Sequence, residues 1–184
     1  MADREPQAAC RKYFLAVISD AHSLAWVLDN KRMAFPEKRR RQLEGIREGD
    51  GLFIYTARGC FGNPDRDRSR VIGMATIENA PTLSDPITLG FRSFSYTCRL
   101  SIDRVAPLRT GVGFSELVEQ LESFPDKIHW SARLRTPPVE LTARDSQVIL
   151  DLLGPIMEPI SAHLSSYIAA GAQELERRAG GDVG

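Results

Sequence analysis

The 184-residue sequence has few residues of the kinds that mark metal-binding, disulfide-stabilised or membrane-spanning proteins. Its three cysteines (Cys10, Cys60 and Cys98) are odd in number and far apart, without a CxxC or Cys/His ligand spacing. We therefore expect no disulfide framework, no metal site and no cofactor. No apolar run approaches the ~20 residues needed to cross a bilayer, and the first residues lack the apolar stretch of a signal peptide. A soluble, cytoplasmic protein without a membrane partner is expected.

The chain as a whole also has no excess of positive or negative charge. Lys plus Arg and Asp plus Glu both number 24, so the net charge alone predicts no polyanionic partner. The charge is nevertheless uneven, because eleven basic and six acidic residues lie between Lys31 and Arg70. Such a local excess can attract an anion to one face of a neutral molecule.

Signatures of catalysis are missing as well. The nucleophile motif GxSxG does not occur, and no second histidine lies at metal-ligand spacing from His22. Ser19 or Asp20 has the character of a helix N-cap, and His22 would lie in the first turn of that helix. We predict that the protein is not an enzyme, and that Ser19 or His22 hydrogen-bonds a ligand. A small-molecule sensor or enzyme using Ser19 and His22 is the alternative.

Apolar periodicity predicts short strands of mixed spacing separated by a few helices. A basic helix is expected from Pro36, and the segment from Arg58 to Arg70 is predicted to be a mobile loop because of its Gly, Asn, Pro and Asp content. These features indicate an α+β fold with a curved, largely antiparallel sheet or small barrel. The predicted strands are 13–18, 52–56, 71–78, 94–100 and 138–141, and the other predicted helices are 21–30, 114–122, 143–153 and the last segment of the chain.

Four segments together resemble the EVE domain of the PUA-like superfamily, a relative of the YTH domain. They are KYFLAVISDAH, EGDGLFIYTARG, RVIGMATIENAP and KIHWSARLRTPPVELTARDSQVIL, and both their order and their spacing match. The resemblance covers residues 12–153, and 154–184 would be a C-terminal helical appendage with a flexible tail. It implies a PUA-like pseudo-barrel of five or six mostly antiparallel strands with surrounding helices, plus the C-terminal helix.

The resemblance also implies a function. It implies a pocket that accepts a flipped-out modified base, and no catalytic activity. EVE domains resemble readers of modified cytosine in DNA, whereas YTH domains read methylated adenosine in RNA. Modified DNA is therefore the predicted partner and modified RNA the alternative, and the C-terminal helix could form a homodimer.

Candidate residues for the base pocket are aromatic or carry hydrogen-bonding groups. Trp130 and Tyr55 would stack on the base, and aromatic stacking contributes roughly 1–3 kcal/mol per base. Each has a structural alternative, since a half-buried aromatic residue can simply cover or fill the core. The predicted pocket residues are Ser19, His22, Trp26, Asn30, Tyr55, Thr56 and Trp130.

Basic residues near these positions are candidates for contacts with the nucleic-acid backbone. Four successive basic residues on a helix point to all sides, so the run from Lys38 to Arg41 cannot form one stripe. A solvated helix face is therefore the alternative to phosphate contact. The predicted backbone-contacting residues are Lys31, Arg32, Arg39, Arg40, Arg58 and Arg68.

Overall fold

A curled sheet forms the centre of the structure, a computed structural model that describes residues 10–180. Six of its strands have four or more residues, namely β1 (Tyr13–Ile18), β2 (Arg32–Phe35), β3 (Gly51–Thr56), β4 (Arg70–Ile77), β5 (Thr82–Leu89) and β6 (Arg92–Ser101). Four shorter strands are β7 (Arg104–Val105), β8 (Val112–Gly113), β9 (Val139–Leu141) and β10 (Glu158–Pro159). The helices are α1 (Ala21–Asn30), α2 (Arg40–Leu43), α3 (Phe114–Leu117), α4 (Ala143–Leu153) and α5 (Ile160–Gly180), and three 3-10 helices span Glu37–Arg39, Val118–Gln120 and Trp130–Arg135.

The pairing of these strands produces a half-barrel. The strand order is β10-β7-β4-β3-β1-β9, and β6 connects this sheet to β2 and β5 by pairing with both of them and with β4. β1 runs parallel to β3, and every other described pair is antiparallel. The predicted fold class, an α+β pseudo-barrel with surrounding helices and a C-terminal helix, is confirmed.

Both faces of β1 and β3 are buried, which explains why their sequences are almost continuously apolar. Alternate side chains such as Phe14 and Leu52 enter a core under α1 and α5, while Leu15 and Phe53 enter a second core under α3 and α4. The alternation follows from the two-residue period of a strand. The sheet is thus held in place from both sides.

The C-terminal helix α5 packs along α1. Tyr167 lies in the first core, 1% exposed, and its hydroxyl donates a hydrogen bond to the Ala106 carbonyl at 2.8 Å. The Glu174 carboxylate accepts hydrogen bonds from the backbone N–H groups of Ala21, at 2.6 Å, and His22, at 3.2 Å. This anion at the N-terminus of α1 is favourable for the helix dipole. The predicted division at residue 154 stays a prediction, and the end of the predicted tail, 181–184, lies outside the described residues.

Several elements differ from the sequence-based expectation. β2 and β5 were not predicted, because β2 is only four residues long and β5 contains the breaker Pro86. The predicted basic helix from Pro36 is only a 3-10 turn followed by α2, and the helix predicted over 114–122 ends in a 3-10 turn. Between residues 10 and 180, no helix combines the length and apolarity that a membrane crossing needs.

Candidate functional site

A cavity of about 640 Å³ lies between the C-terminal half of β1 and β2. The volume is within the roughly 300–1,000 Å³ that is usual for small-ligand sites. The start of β6, the 3-10 helix Trp130–Arg135 and the segment that follows β2 supply its other walls. Its lining residues are Ala16, Val17, Ser19, Met33, Ala34, Phe35, Pro36, Lys38, Arg39, Arg92, Ser93, Phe94, Leu134, Arg135 and Pro137.

The cavity exists because the half-barrel does not close between β1 and β2. β9 pairs with β1 only as far as the pair formed by Leu15 and Val139. Pro137 and Pro138 come next on the β9 side, and proline has no N–H with which to extend a ladder. Among the described strands, β2 pairs with β6 alone. One edge of each strand is therefore open beside the cavity.

Backbone groups of β1 point toward this opening. The Lys12 carbonyl accepts a hydrogen bond from the Gly51 N–H at 2.8 Å, and the Ile18 carbonyl accepts one from the Ala57 N–H, just after β3, at 2.9 Å. Even-numbered residues of β1 therefore bond to β3, and the N–H and C=O of Val17 point to the other edge, beyond the end of β9.

The same alternation applies to β2. The Lys31 carbonyl accepts a hydrogen bond from the Leu100 N–H at 2.8 Å, so Met33 and Phe35 also exchange hydrogen bonds with β6. The N–H and C=O of Ala34 point to the open edge. Val17 and Ala34 thus offer donors and acceptors from the two strands that line the cavity.

The charge at the cavity is positive. Lys38, Arg39, Arg92 and Arg135 are among the lining residues, and none of the lining residues is acidic. Arg92 Nη1 donates to Ser19 Oγ at 3.1 Å, and Arg39 Nη2 donates to the Arg135 carbonyl. These bonds hold two guanidinium groups at the cavity. The arrangement favours a ligand that carries negative charge beside an apolar part.

Of the residues predicted from the sequence, Ser19 and Arg39 line the cavity. Ser19 or Asp20 was predicted as the N-cap, and it is Asp20, whose carboxylate accepts a hydrogen bond from the Ser23 N–H at 2.8 Å. Ser19 therefore lies outside the helix. His22 is half-buried, and its backbone N–H donates to Glu174. His22 is not among the cavity-lining residues.

Tyr55 and Trp130, the predicted stacking residues, lie together but away from the cavity lining. Tyr55 is 3% exposed, and its ring centroid is 5.0 Å from that of Phe114, which in turn is 5.3 Å from Trp130. Burial raises the pKa of the Tyr55 phenol, against a hydrogen bond with Ser69 that lowers it. Tyr55 and Phe114 are buried in the second core, and the half-buried Trp130 packs against it.

The remaining predicted pocket residues have structural contacts. Trp26 is half-buried against the first core, and the Asn30 side-chain amide donates to the Trp26 carbonyl at 2.9 Å. Thr56 is buried, and its hydroxyl donates to the Arg70 carbonyl at 3.3 Å. None of these three residues lines the cavity. Their roles in binding stay predictions.

The predicted backbone-contacting cations other than Arg39 are spread over the molecule. Lys31 is exposed at the C-cap of α1, and Arg32 Nη2 donates to Thr97 Oγ1 at 3.0 Å. Arg40 is exposed beside Arg39. Arg58 and Arg68 belong to the segment predicted as a mobile loop, in which Arg58 Nε donates to the Pro64 carbonyl at 2.7 Å and Arg68 is exposed. These residues do not line the cavity.

Sequence reasoning missed most of the cavity. Arg92 and Phe94 lie on the hairpin whose first strand, β5, was not predicted, and Phe35 lies on the unpredicted β2. Leu134 and Arg135 lie in the same 3-10 helix as Trp130, which was the residue of this segment predicted to bind. The prolines that follow them were a usable signal, because they mark where pairing with β1 must stop.

Over the described part of the chain, His, Cys, Asp and Glu side chains do not form a group of three or more that could hold a metal ion.

Comparisons with known proteins agree on the fold. No protein-family model and no curated protein matches the chain. Among solved structures, the crystal structure of the Mmi1 YTH domain in complex with RNA is similar, with a TM-score of 0.53, 9% identity and 79% of each chain covered. Another Mmi1 YTH domain structure gives a TM-score of 0.54 at 10% identity, covering 79% of this chain and 76% of that one. The NMR structure of Rpa0253 from Rhodopseudomonas palustris gives 0.51 at 16% identity, covering 79% of this chain and 94% of that one.

These likenesses concern the fold, since all three identities are low. The fold of the chain is similar to that of YTH domains, as the resemblance in its sequence implied. Its narrower assignment to EVE domains goes beyond these comparisons.

Proposed function

We propose that the protein is a non-catalytic module that binds a modified, flipped-out base of RNA in the cavity between β1 and β2. The observation that carries this proposal is the combination of two open strand edges with four cations and no acid among the lining residues. Strand edges can hydrogen-bond a base, and cations can hold the phosphates on either side of it.

The walls fit a flat heterocycle. Phe35, Phe94 and Leu134 provide apolar surface, while the Val17 and Ala34 backbones provide donors and acceptors at fixed positions. A base flipped from a strand loses a few kcal/mol of stacking, and apolar contact in a closed pocket offsets this loss. Backbone groups in fixed directions can distinguish one base edge from another. An added methyl group would be accommodated by the apolar part of the cavity.

RNA is better supported than DNA as the polymer. The fold neighbour with 79% mutual coverage was solved in complex with RNA. Modified cytosine in DNA, which the resemblance to EVE domains implies, is the alternative. A protein can separate the two polymers through the 2′-hydroxyl group.

A non-catalytic role is supported by the environment of Ser19. Its Oγ accepts a hydrogen bond from Arg92, which is a permanent cation and cannot act as a general base. Activation of a serine nucleophile requires a neighbouring base within hydrogen-bonding distance. We therefore assign Ser19 to binding.

Fluorescence anisotropy on a panel of labelled pentanucleotides tests the proposal. Single-stranded RNA and DNA pentamers would carry at the centre adenine, N6-methyladenine, cytosine, 5-methylcytosine or 5-hydroxymethylcytosine. We expect RNA pentamers to bind more tightly than matched DNA pentamers, and one modified base to bind more tightly than its unmodified parent. Equal binding to all probes would leave only nonspecific electrostatics and contradict the proposal.

A cavity-filling variant locates the binding. Ser19→Trp places a large ring at the lining of the cavity, whereas Ser115→Trp places the same ring at an exposed position of α3 outside it. Ser19→Trp should remove the preference for the modified base, and Ser115→Trp should retain it. Thermal unfolding of both variants checks that each is folded.

A second candidate function is the binding of a free nucleotide or similar small anion. The contact between Arg92 and Ser19 favours it, because it holds a cation at the cavity without needing a polymer. This function predicts that a mononucleotide binds as tightly as a pentamer. Base reading within RNA predicts tighter binding of the pentamer, with a steeper dependence on salt.

A further inference from the structure

Phe91 stands at the tip of the hairpin formed by β5 and β6 and is 93% exposed. A phenylalanine so fully in water gains nothing from folding, since its apolar surface stays hydrated. Among the large apolar side chains of the described residues it has the highest exposure.

The turn itself does not require an aromatic residue. Leu89 pairs with Arg92, so Gly90 and Phe91 form a two-residue hairpin loop. Gly90 has a φ of +61°, and it is the residue with positive φ in this loop. Glycine at the first of two loop positions is the requirement of a type II′ turn, and the second position accepts most residues. Neither packing nor backbone geometry therefore explains Phe91.

The tip is fixed beside the cavity. Arg92, the next residue, lines the cavity and donates to Ser19 Oγ. Leu89, on the other side of the turn, is buried. Arg178 of α5, whose Nη2 donates to Glu174 Oε1, lies close to the loop, where its Nη1 would be 3.3 Å from a Cβ added to Gly90. Phe91 is thus next in sequence to a cation that lines the cavity, on a loop that a second cation approaches.

We infer that Phe91 is a second stacking site, which binds the base adjacent to the one held in the cavity. The inference rests on the proposed function of the cavity. A strand that gives up one base to a pocket exposes the faces of the neighbouring bases, and an aromatic ring can cover such a face regardless of sequence. Arg92 and Arg178 would attract the phosphates that join the two nucleotides. The occupant is single-stranded RNA, and a free nucleoside is too short to reach both places.

The test compares Phe91→Ala with two other variants on labelled oligouridine RNA pentamers whose central residue is N6-methyladenosine or 5-methylcytidine. Phe91→Ala should weaken pentamer binding about 5- to 150-fold, the range that stacking of one base represents. It should leave binding of the corresponding free nucleosides unchanged. Phe91→Trp should restore pentamer affinity. Leu83→Ala removes a 69% exposed side chain farther along the same hairpin and should change neither measurement.

A second set of probes identifies the contact. Pentamers with an abasic residue on the 5′ or the 3′ side of the centre remove the base that Phe91 would cover. One of these two abasic pentamers should bind the wild-type protein with the same reduced affinity that the intact pentamer has for Phe91→Ala. The affinity of Phe91→Ala should be the same for the intact pentamer and for that abasic pentamer.

Two failures are distinguishable. If the wild type distinguishes modified from unmodified pentamers and Phe91→Ala binds each pentamer as tightly as the wild type does, the second stacking site is wrong and the cavity function stands. If the wild type binds no pentamer in a base-dependent way, both are wrong. Equal weakening of nucleoside and pentamer by Phe91→Ala would place Phe91 in the cavity's own binding and overturn the inference.

Discussion

The charge at the cavity makes a quantitative prediction through a matched pair of arginines. Arg39 lines the cavity and donates to the Arg135 carbonyl, whereas Arg40, the next residue, is exposed outside it. Arg39→Gln and Arg40→Gln change the net charge of the protein equally. Only Arg39→Gln removes a cation from the site.

The expected change in the salt dependence of RNA binding follows from counterion release. Each phosphate contact on a single strand changes the slope of log K against log salt by about 0.7. If all four cavity cations contact phosphate, affinity falls about 50-fold between 50 and 200 mM salt, and with three contacts it falls about 20-fold. Arg39→Gln should therefore flatten the dependence on salt, and Arg40→Gln should leave it close to that of the wild type.

Anisotropy titrations of one RNA pentamer at five KCl concentrations measure these slopes. A denaturation curve for each variant provides the control, since loss of the Arg39 hydrogen bond costs about 1 kcal/mol at most at this partly exposed position. Equal slopes for Arg39→Gln and Arg40→Gln would refute the reasoning, because the cavity would then contribute no more than the general surface charge.

Three further predictions concern stability and reactivity. Glu174→Ala should lower the free energy of unfolding in urea by about 2–3 kcal/mol, since it removes a buried, charge-assisted acceptor at the N-terminus of α1; loss of less than 0.5 kcal/mol would contradict this role. Cys10, which is exposed, should be the thiol that reacts with Ellman's reagent in the folded protein at pH 8. Burial raises the pKa of the Cys98 thiol to about 12, and burial together with nearby carboxylates raises the pKa of the Cys60 thiol, so these two should stay unreactive. In urea, where burial is lost, all three cysteines should react. Burial opposes ionisation of Asp145, but hydrogen bonds from Ser123 and Glu122 outweigh it and lower its pKa. Its stabilising effect is therefore present above the unfolded-state pKa of about 3.9 and is lost as the pH falls further, so Asp145→Asn should flatten the fall in unfolding free energy between pH 5 and pH 2.

Most of the fold could be predicted from the sequence because the strands that form its centre are buried on both faces. The apolar runs 13–18 and 52–56 correspond to β1 and β3, and the capped start near Thr142 corresponds to α4, where Thr142 Oγ1 accepts from the Asp145 N–H at 3.1 Å. β2 escaped prediction because four residues that begin with Arg32 carry little periodicity. The pattern of such a short strand is set by its partner, β6, and not by its own composition.

The candidate site was harder to predict than the fold. Tyr55 follows the alternation of β3 into the second core, and only knowledge of which face α3 and α4 cover could have placed it there. The cavity exists because β1 and β2 do not pair with each other. No residue pattern predicts that two strands stay unpaired, except the two prolines before β9. Its cations come from three segments that are distant in the sequence.

The most direct test of the central claim is an NMR titration of ¹⁵N-labelled protein with the modified nucleoside that the pentamer panel selects. Binding between the open strand edges predicts that the amide signals of Val17 and Ala34 shift most, in step with saturation, while those of Tyr55 and Thr56 in the paired strand β3 shift little. Saturable shifts confined to residues outside the cavity, or no shifts at Val17 and Ala34, would contradict the account.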